Sequence, residues 1–584
     1  MRRLAFPAAL LALACVLGGT RAERGLPLSL GCEGRVVSRP ASSAGPAATA
    51  PAPTATASAP APATDVAASR SAAPPAPFAS ARRFGVWIRG GDVIDGTGAP
   101  RRRADVLVAG DSISYVGAVA PGVRADRLID ATGKVVTPGF IDAHAHTDAA
   151  ARRSSDPLGE VAGFLAMGVT TICLGQDGRS PSDEGVEHWL AEVGGRPLGL
   201  NALAFAGHGT IRSQAGVGLS THPGADQIRR MVRLVERELG AGAFGLTTGL
   251  EYRPGRLAAL EELVAVAKPV AARNALVMSH LRSEDDDAIE PALDELLAQG
   301  ERSGARVHVS HLKVVSGKGA ARAEQILGQL QAARARGVRV TADIYPYDAS
   351  YTNLGILFPD FALPPNDLER AKATRGEELR AFLRRRIVLR GGPEAVLFGS
   401  APYRGKTLAE LAAELQMPFE DVLVHIGPHG ARAAYFVMDD ALQSRLLADA
   451  HVTIGSDGSA RTPHPRSYGT FARVIRRDVL ERKLFSLEEA VRKMTGFAAQ
   501  TVGLDRQRRG LVAAGWAADL LVFDPAKVRD VADYPEPARL AEGFDWVLVN
   551  GRLAREDGKP TAVRAGRVLR RQDTATPLAG PAAP

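Results

Sequence analysis

The sequence predicts an α/β fold, a (β/α)8 barrel with a small β-sandwich built from both chain ends. Three observations carry this. From residue 135 to about 504, short apolar β runs alternate with helical stretches, the rhythm of parallel strands joined by crossover helices. Polar residues close several of those runs, where a barrel places its active site. Short strands bounded by turn residues occur at both ends of the chain, too few at either end to be stable alone. A doubly wound sheet is the alternative, but no G-x-G-x-x-G follows an early strand.

At the N-terminus, Met1-Arg2-Arg3, the apolar stretch 4–17 and Thr20-Arg21-Ala22 read as a signal peptide covering 1–22. The stretch is short for a span of ~20 residues and contains Pro7. A lipid-modified Cys15 or Cys32 is the alternative anchor, and no later stretch reads as a transmembrane helix. The chain is therefore expected to be exported: periplasmic, secreted or lipid-anchored. The three cysteines, Cys15, Cys32 and Cys173, offer no disulfide framework, since the first lies in the signal and the second in the N-terminal linker. Residues 23–83 form an Ala/Pro-rich linker that buries too little apolar surface to order itself.

The 584 residues are 45% hydrophobic and 23% charged, a globular composition long enough for more than one domain. The net charge of +8 comes from scattered arginines. No basic stripe with interleaved aromatics appears, which argues against a nucleic-acid partner.

Residues 84–136 supply the N-terminal part of the sandwich. Strands flank a turn at Gly90-Gly91-Asp92, and a hairpin turns at Gly110-Asp111. Residues 506–571 supply the C-terminal part, with short strands at 515–523 and 546–551. The barrel occupies 137–505, and its first strand is the buried run 135–141. Further runs lie at 169–174, 198–206, 244–248, 275–279, 307–310, 338–344 and 451–454. Helices and loops at about 359–443 interrupt the rhythm and read as an insertion over the barrel mouth, a lid. Residues 572–584 are a tail.

His144 and His146 follow the first run two residues apart, a spacing that turns both imidazoles to one side of a strand. Imidazole suits zinc and similar divalent ions. Asp177, His280, His311 and Asp457 close later runs. Each alone reads as a hydrogen-bonded core residue. Four histidines and two aspartates at corresponding points of one barrel read as a metal site. His308 lies deeper in its strand and reads as structural. Cys173 lies four residues before Asp177, ~13 Å along a strand, and reads as core packing.

The segment PGFIDAHAHTD resembles the first metal-binding segment of the amidohydrolase superfamily. MSHLRSE, VHVSHLK, DIYPYDAS, IGSDG and HPRSYGTF resemble the N-acyl-D-amino-acid deacylases within it. The resemblance implies a zinc enzyme with one or two ions that removes the acyl group from a small N-acyl-D-amino acid. Asp457 matches the aspartate that takes a proton from metal-activated water and returns it to the departing amine. Lys313, Tyr345 and Arg466 match groups that hold the substrate carboxylate. Tyr252 and Arg282 are expected to line the pocket. The family usually has cysteine where this chain has Asp177, so a carboxylate is expected to bridge in place of a thiolate, with Glu251 as the second candidate. Two readings stay beside this one: an amidohydrolase of dipeptides or cyclic amides, and a non-catalytic exported binding protein on a decayed barrel.

Overall fold

The computed structural model describes residues 77–146, 161–459 and 461–572. The expected signal peptide, nearly all of the linker and nearly all of the C-terminal tail lie outside these residues.

The apolar run 135–141 makes two strands, where the sequence reading has one. Val135–Pro138 pairs antiparallel with Leu520–Phe523 in a nine-stranded sheet. Phe140–Asp142 pairs parallel with Val169–Leu174 and is the first barrel strand, β1. Gly139 stands between them. A Cβ there would lie 2.2 Å from Thr170 Oγ1, so only glycine lets the chain cross between the sheets at this separation.

The other barrel strands are β2 (Val169–Leu174), β3 (Asn201–Ala204, continued by Ala206–Gly207), β4 (Gly245–Gly249), β5 (Leu276–His280), β6 (Arg306–Val309), β7 (Val340–Ile344) and β8 (Val452–Ile454). All neighbours are parallel. The ring closes where Ala145 bridges Gly458 and Asp457 N donates to His144 O at 2.8 Å. A closed ring of eight strands is a barrel and excludes the doubly wound alternative. Helices Ala225–Ala241, Leu260–Ala272, Ile289–Ser303 and Gly319–Ala335 share one apolar core with the strands.

Both chain ends join in the nine-stranded sheet. Leu520–Phe523 lies beside Val135–Pro138, and the N-terminal strands Arg83–Val93, Arg102–Ala109 and Ser112–Gly117 continue outward from there. A bridge from Ser112 to Ala517 brings the far edge back to the residues just before Leu520, so the sheet curls over a core of its own. Arg83–Val93 is one strand; the expected turn at Gly90-Gly91 is a bulge, formed because Gly90 takes a left-handed φ of 69°.

Between β7 and helix Asp440–Ala448 the chain builds a second small core. The expected helices are present, and with them comes an antiparallel sheet of Ala349–Asn353, Val396–Phe398 and Arg432–Phe436. Asp360 pairs with Arg253 and Arg256, and Asp285 with Arg386 and Arg390, tying this unit to the loops after β4 and β5. Among the described residues no helix is long and apolar enough to cross a membrane.

Candidate metal centre

Apolar strands fix the backbone, and the residues just past their ends turn inward at the C-terminal mouth. His280 is the last residue of β5; His144, Asp177, His311 and Asp457 lie two or three residues beyond β1, β2, β6 and β8. Asp177, His311 and Asp457 have φ of 54°, 36° and 49°. Left-handed backbone is costly for residues with a Cβ, and its recurrence here is the kind of strain that clusters at functional sites.

The donor atoms of His144, His146, Asp177 and Asp457 lie within 4.8 Å of one another, as do those of Asp177, His280 and His311. Asp177 belongs to both groups. Its Oδ1 is 3.5 Å from His144 Nε2, 3.5 Å from His311 Nε2 and 3.7 Å from His280 Nδ1, and its Oδ2 is 3.6 Å from His146 Nε2. Ligands about 2.0–2.2 Å from a tetrahedral zinc lie about 3.3–3.6 Å apart, so these spacings suit the ion. Both ring nitrogens of His144 and Asp177 Oδ1 are buried without a hydrogen-bond partner, which a cation would resolve. Burial pushes the Asp177 carboxyl up, but His144, His311 and His280 outweigh it and hold it well below the usual carboxylate range.

A second layer orients these rings. Asp343, inside β7, accepts from His311 N at 2.9 Å and lies 2.8 Å from His308 Nε2 and 3.9 Å from His144 Nδ1. Asp142 accepts from Ser456 N at 2.9 Å and His144 N at 3.2 Å, and burial raises its pKa to about 7. Glu251 Oε2 is 3.1 Å from His280 Nε2, the nitrogen facing away from Asp177. Glu251 therefore backs His280 and does not stand between the two groups. Glu284 does the same for His311, 3.1 Å from its Nδ1. Such carboxylate partners fix the ring and tautomer of a metal-binding histidine. Cys173 is fully buried among Ile141, Leu203 and Met278, in the core as expected.

The expected substrate residues are placed unevenly. Arg466 Nη1 is 2.9 Å from Asp457 Oδ2, and its guanidinium lies over the Tyr345 ring at 4.9 Å. The Tyr345 hydroxyl and Arg466 Nε are buried without a hydrogen-bond partner. Lys313 Nζ is 2.6 Å from Glu284 Oε1 and 2.8 Å from His311 Nδ1, so it neutralises the carboxylate behind a histidine. The Tyr252 ring lies 4.6 Å from the His280 ring, tilted by 47°, and its hydroxyl donates to Thr352 of the inserted sheet at 3.2 Å. Arg282 is not brought to the cluster: its guanidinium is committed to Glu295 at 2.8 Å and to the carbonyls of Arg256 and Ala258.

Asp142, Asp343 and Glu284 are the carboxylates of this layer to which strand-end reasoning gives no role, and Glu251, expected as a second candidate bridge, stands behind His280 instead. The signal for Asp343 is a charge inside the apolar run of β7, which cannot be buried unpaired. For Glu284, outside any strand, there is no comparable signal.

A profile of the amidohydrolase family matches residues 403–555. N-acyl-D-glutamate deacylase of Alcaligenes xylosoxydans xylosoxydans is 36% identical over 83% of this chain and 96% of its own length. The crystal structure of N-acyl-D-glutamate deacylase from Bordetella bronchiseptica, complexed with zinc and a phosphonate mimic of the tetrahedral intermediate, superimposes with a TM-score of 0.71. It is 33% identical, over 84% of this chain and all of that one. A D-aminoacylase structure that addresses the role of a binuclear metal centre gives 0.71 at 34% identity, with the same coverage. The chain belongs to the amidohydrolase family, among its N-acyl-D-amino-acid deacylases.

Proposed function

We propose that this protein is a zinc-dependent hydrolase that removes the acyl group from N-acyl-D-amino acids. The observation that carries the reading is the Asp177 carboxylate, which lies within 3.7 Å of four histidines brought in by three strands, β1, β5 and β6. His144, His146 and Asp177 would hold one ion, and Asp177, His280 and His311 a second. Zinc bound there would supply a water whose pKa is lowered toward ~7 and a Lewis acid for the amide carbonyl.

The chain's own groups do the rest. Asp457 Oδ1 is 3.0 Å from His146 Nε2 and its Oδ2 faces Arg466. Burial pushes this carboxyl up, but the Arg466 charge and the His146 hydrogen bond hold it well below the usual carboxylate range. It therefore stands ionised at the mouth, placed to accept a proton from the attacking water and pass it to the departing nitrogen. The unpartnered Tyr345 hydroxyl and Arg466 Nε are the donors for the substrate carboxylate. Lys313 supports them at one remove, by holding Glu284 and so the His311 ring. The inserted sheet, touching Tyr252 and Arg466 through Thr352 and Tyr351, shields the mouth from water.

The test is a hydrolysis screen of paired N-acyl-D- and N-acyl-L-amino acids and dipeptides, run with zinc analysis of the same preparation. Hydrolysis confined to the D compounds by zinc-loaded protein is expected. Equal turnover of both enantiomers, or full activity without metal, would overturn the assignment.

A further inference from the structure

At the opposite end of the barrel, where β5 and β6 begin, lies a cavity of about 310 Å³ between the strand starts, the loops at 503–517 and the C-terminal segment. Six arginines line it: Arg306, Arg506, Arg508, Arg509, Arg567 and Arg571. Two of them meet carboxylates, Arg509 with Asp519 and Arg567 with Asp111 at 2.7 Å. Among the described residues the Arg306 guanidinium donates to carbonyls alone, Gln500 O at 2.9 Å and Thr501 O at 2.8 Å. The Arg506 and Arg508 side chains have no hydrogen-bond or ion-pair partner among the described residues. Arg508 is fixed in left-handed backbone, φ 53°, with its carbonyl accepting from Ala517 N at 2.9 Å.

Carbonyls satisfy the donors of a guanidinium but do not cancel its charge. Burial and the positive charges of Arg339, Arg506 and Arg571 depress the Arg306 pKa, with Asp505 acting the other way. Several cations therefore converge on one concave surface with too few anions among the described residues to balance Arg306, Arg506 and Arg508, and planar guanidinium forks match the oxygens of a tetrahedral oxoanion.

We propose that this cavity is a binding site for a phosphate group, free or as a monoester, separate from the metal centre. The separation follows from the strands: Ala275 at the cavity precedes β5, which ends on His280, a span of about 16 Å at ~3.3 Å per residue. Because the lining joins the barrel floor to the C-terminal segment, an occupant ties the two together and stabilises the folded chain.

Isothermal titration of the zinc-loaded full chain with inorganic phosphate and with glycerol 3-phosphate, at ionic strength held with sodium chloride, tests this. Saturable binding of either is expected, and a preference between them shows whether the ester is recognised. The Arg506→Ala/Arg508→Ala variant should bind roughly tenfold more weakly or worse. Both side chains are exposed, so the fold and the kcat/KM for deacylation should be unchanged. No saturable binding to the wild-type chain, or binding by the variant as tight as wild type, overturns the proposal; the latter would place phosphate elsewhere, as at the zinc.

Discussion

At the scale of single residues the centre depends on one carboxylate. Asp177 faces all four histidines, and its Oδ1 has no other partner. Asp177→Asn keeps the shape and one oxygen but loses the charge that two dications share. Zinc content and kcat/KM should fall together, with the circular dichroism spectrum unchanged; retention of both would move the bridge elsewhere. Asp177→Cys should recover part of the zinc, since thiolate is a stronger zinc ligand than amide oxygen. Lys313 and Tyr345 are expected to separate by what they touch. Tyr345→Phe removes a donor with no protein partner, so it should raise KM for carboxylate substrates by roughly 3- to 10-fold, the effect of ~0.5–1.5 kcal/mol. It should keep the zinc and spare a neutral amide analogue. Lys313→Met leaves Glu284 buried without its cation beside His311, so the loss should appear in zinc content and melting temperature on every substrate. A purely carboxylate-selective KM effect in Lys313→Met would show that its ammonium reaches the substrate.

At the scale of elements, the crossing between the two sheets places the first histidines. β1 is three residues long and begins immediately after Gly139. A Cβ at 139 would meet Thr170 Oγ1 at 2.2 Å and Cγ2 at 2.4 Å, and β1 has no slack to move without carrying His144 along. Gly139→Ala should therefore destabilise the chain in urea by about 1–3 kcal/mol and lower zinc occupancy. Adding Thr170→Ala removes the two nearest atoms and should recover part of both, so no recovery would locate the strain elsewhere. Such crossings are hard to read from sequence. Residues 135–141 are one apolar run by composition, and only the close approach of Thr170 shows why the glycine divides it. The strand-end histidines were legible because an apolar run followed by an imidazole is a local pattern. Glu284 was not, and Glu251 was expected as a bridge and not as a partner of His280, because both roles come from facing the outer nitrogens of His280 and His311 across loops. The inserted sheet was missed for a related reason: its strands at 349–353, 396–398 and 432–436 are short and separated by helices, and their pairing is non-local.

For the whole molecule, the joining of both chain ends was legible, since neither set of short strands can cover its own apolar face. How the joined ends are fastened to the barrel was not. The fastening is a buried polar knot around Asp519. Its carboxylate accepts from Arg509, from Asn550 N at 2.8 Å and from Asn201 Nδ2 at 3.2 Å, and Asn550 Nδ2 donates to Asn201 Oδ1 at 2.7 Å. Asn201 belongs to barrel strand β3, whereas Asp519 and Asn550 border strands of the nine-stranded sheet. The knot is thus a bond between domains made of groups that are each nearly excluded from water. Removing the one carboxylate leaves the Arg509 charge unbalanced, with only Asn550 Oδ1 at 2.9 Å still accepting from it, and takes the acceptor from Asn550 N and Asn201 Nδ2. Asp519→Ala should cost about 3–5 kcal/mol, the range for breaking a buried ion pair from one side. Asp519→Asn should cost less, because it keeps a hydrogen-bond acceptor for Asn550 N. If the knot couples the domains, wild type unfolds in a single transition in urea, and Asp519→Ala separates it into two, the sheet melting first while the barrel keeps its zinc. A single shifted transition in Asp519→Ala would mean that the apolar contact between Phe140, Phe523 and Phe544 is enough to hold the two together.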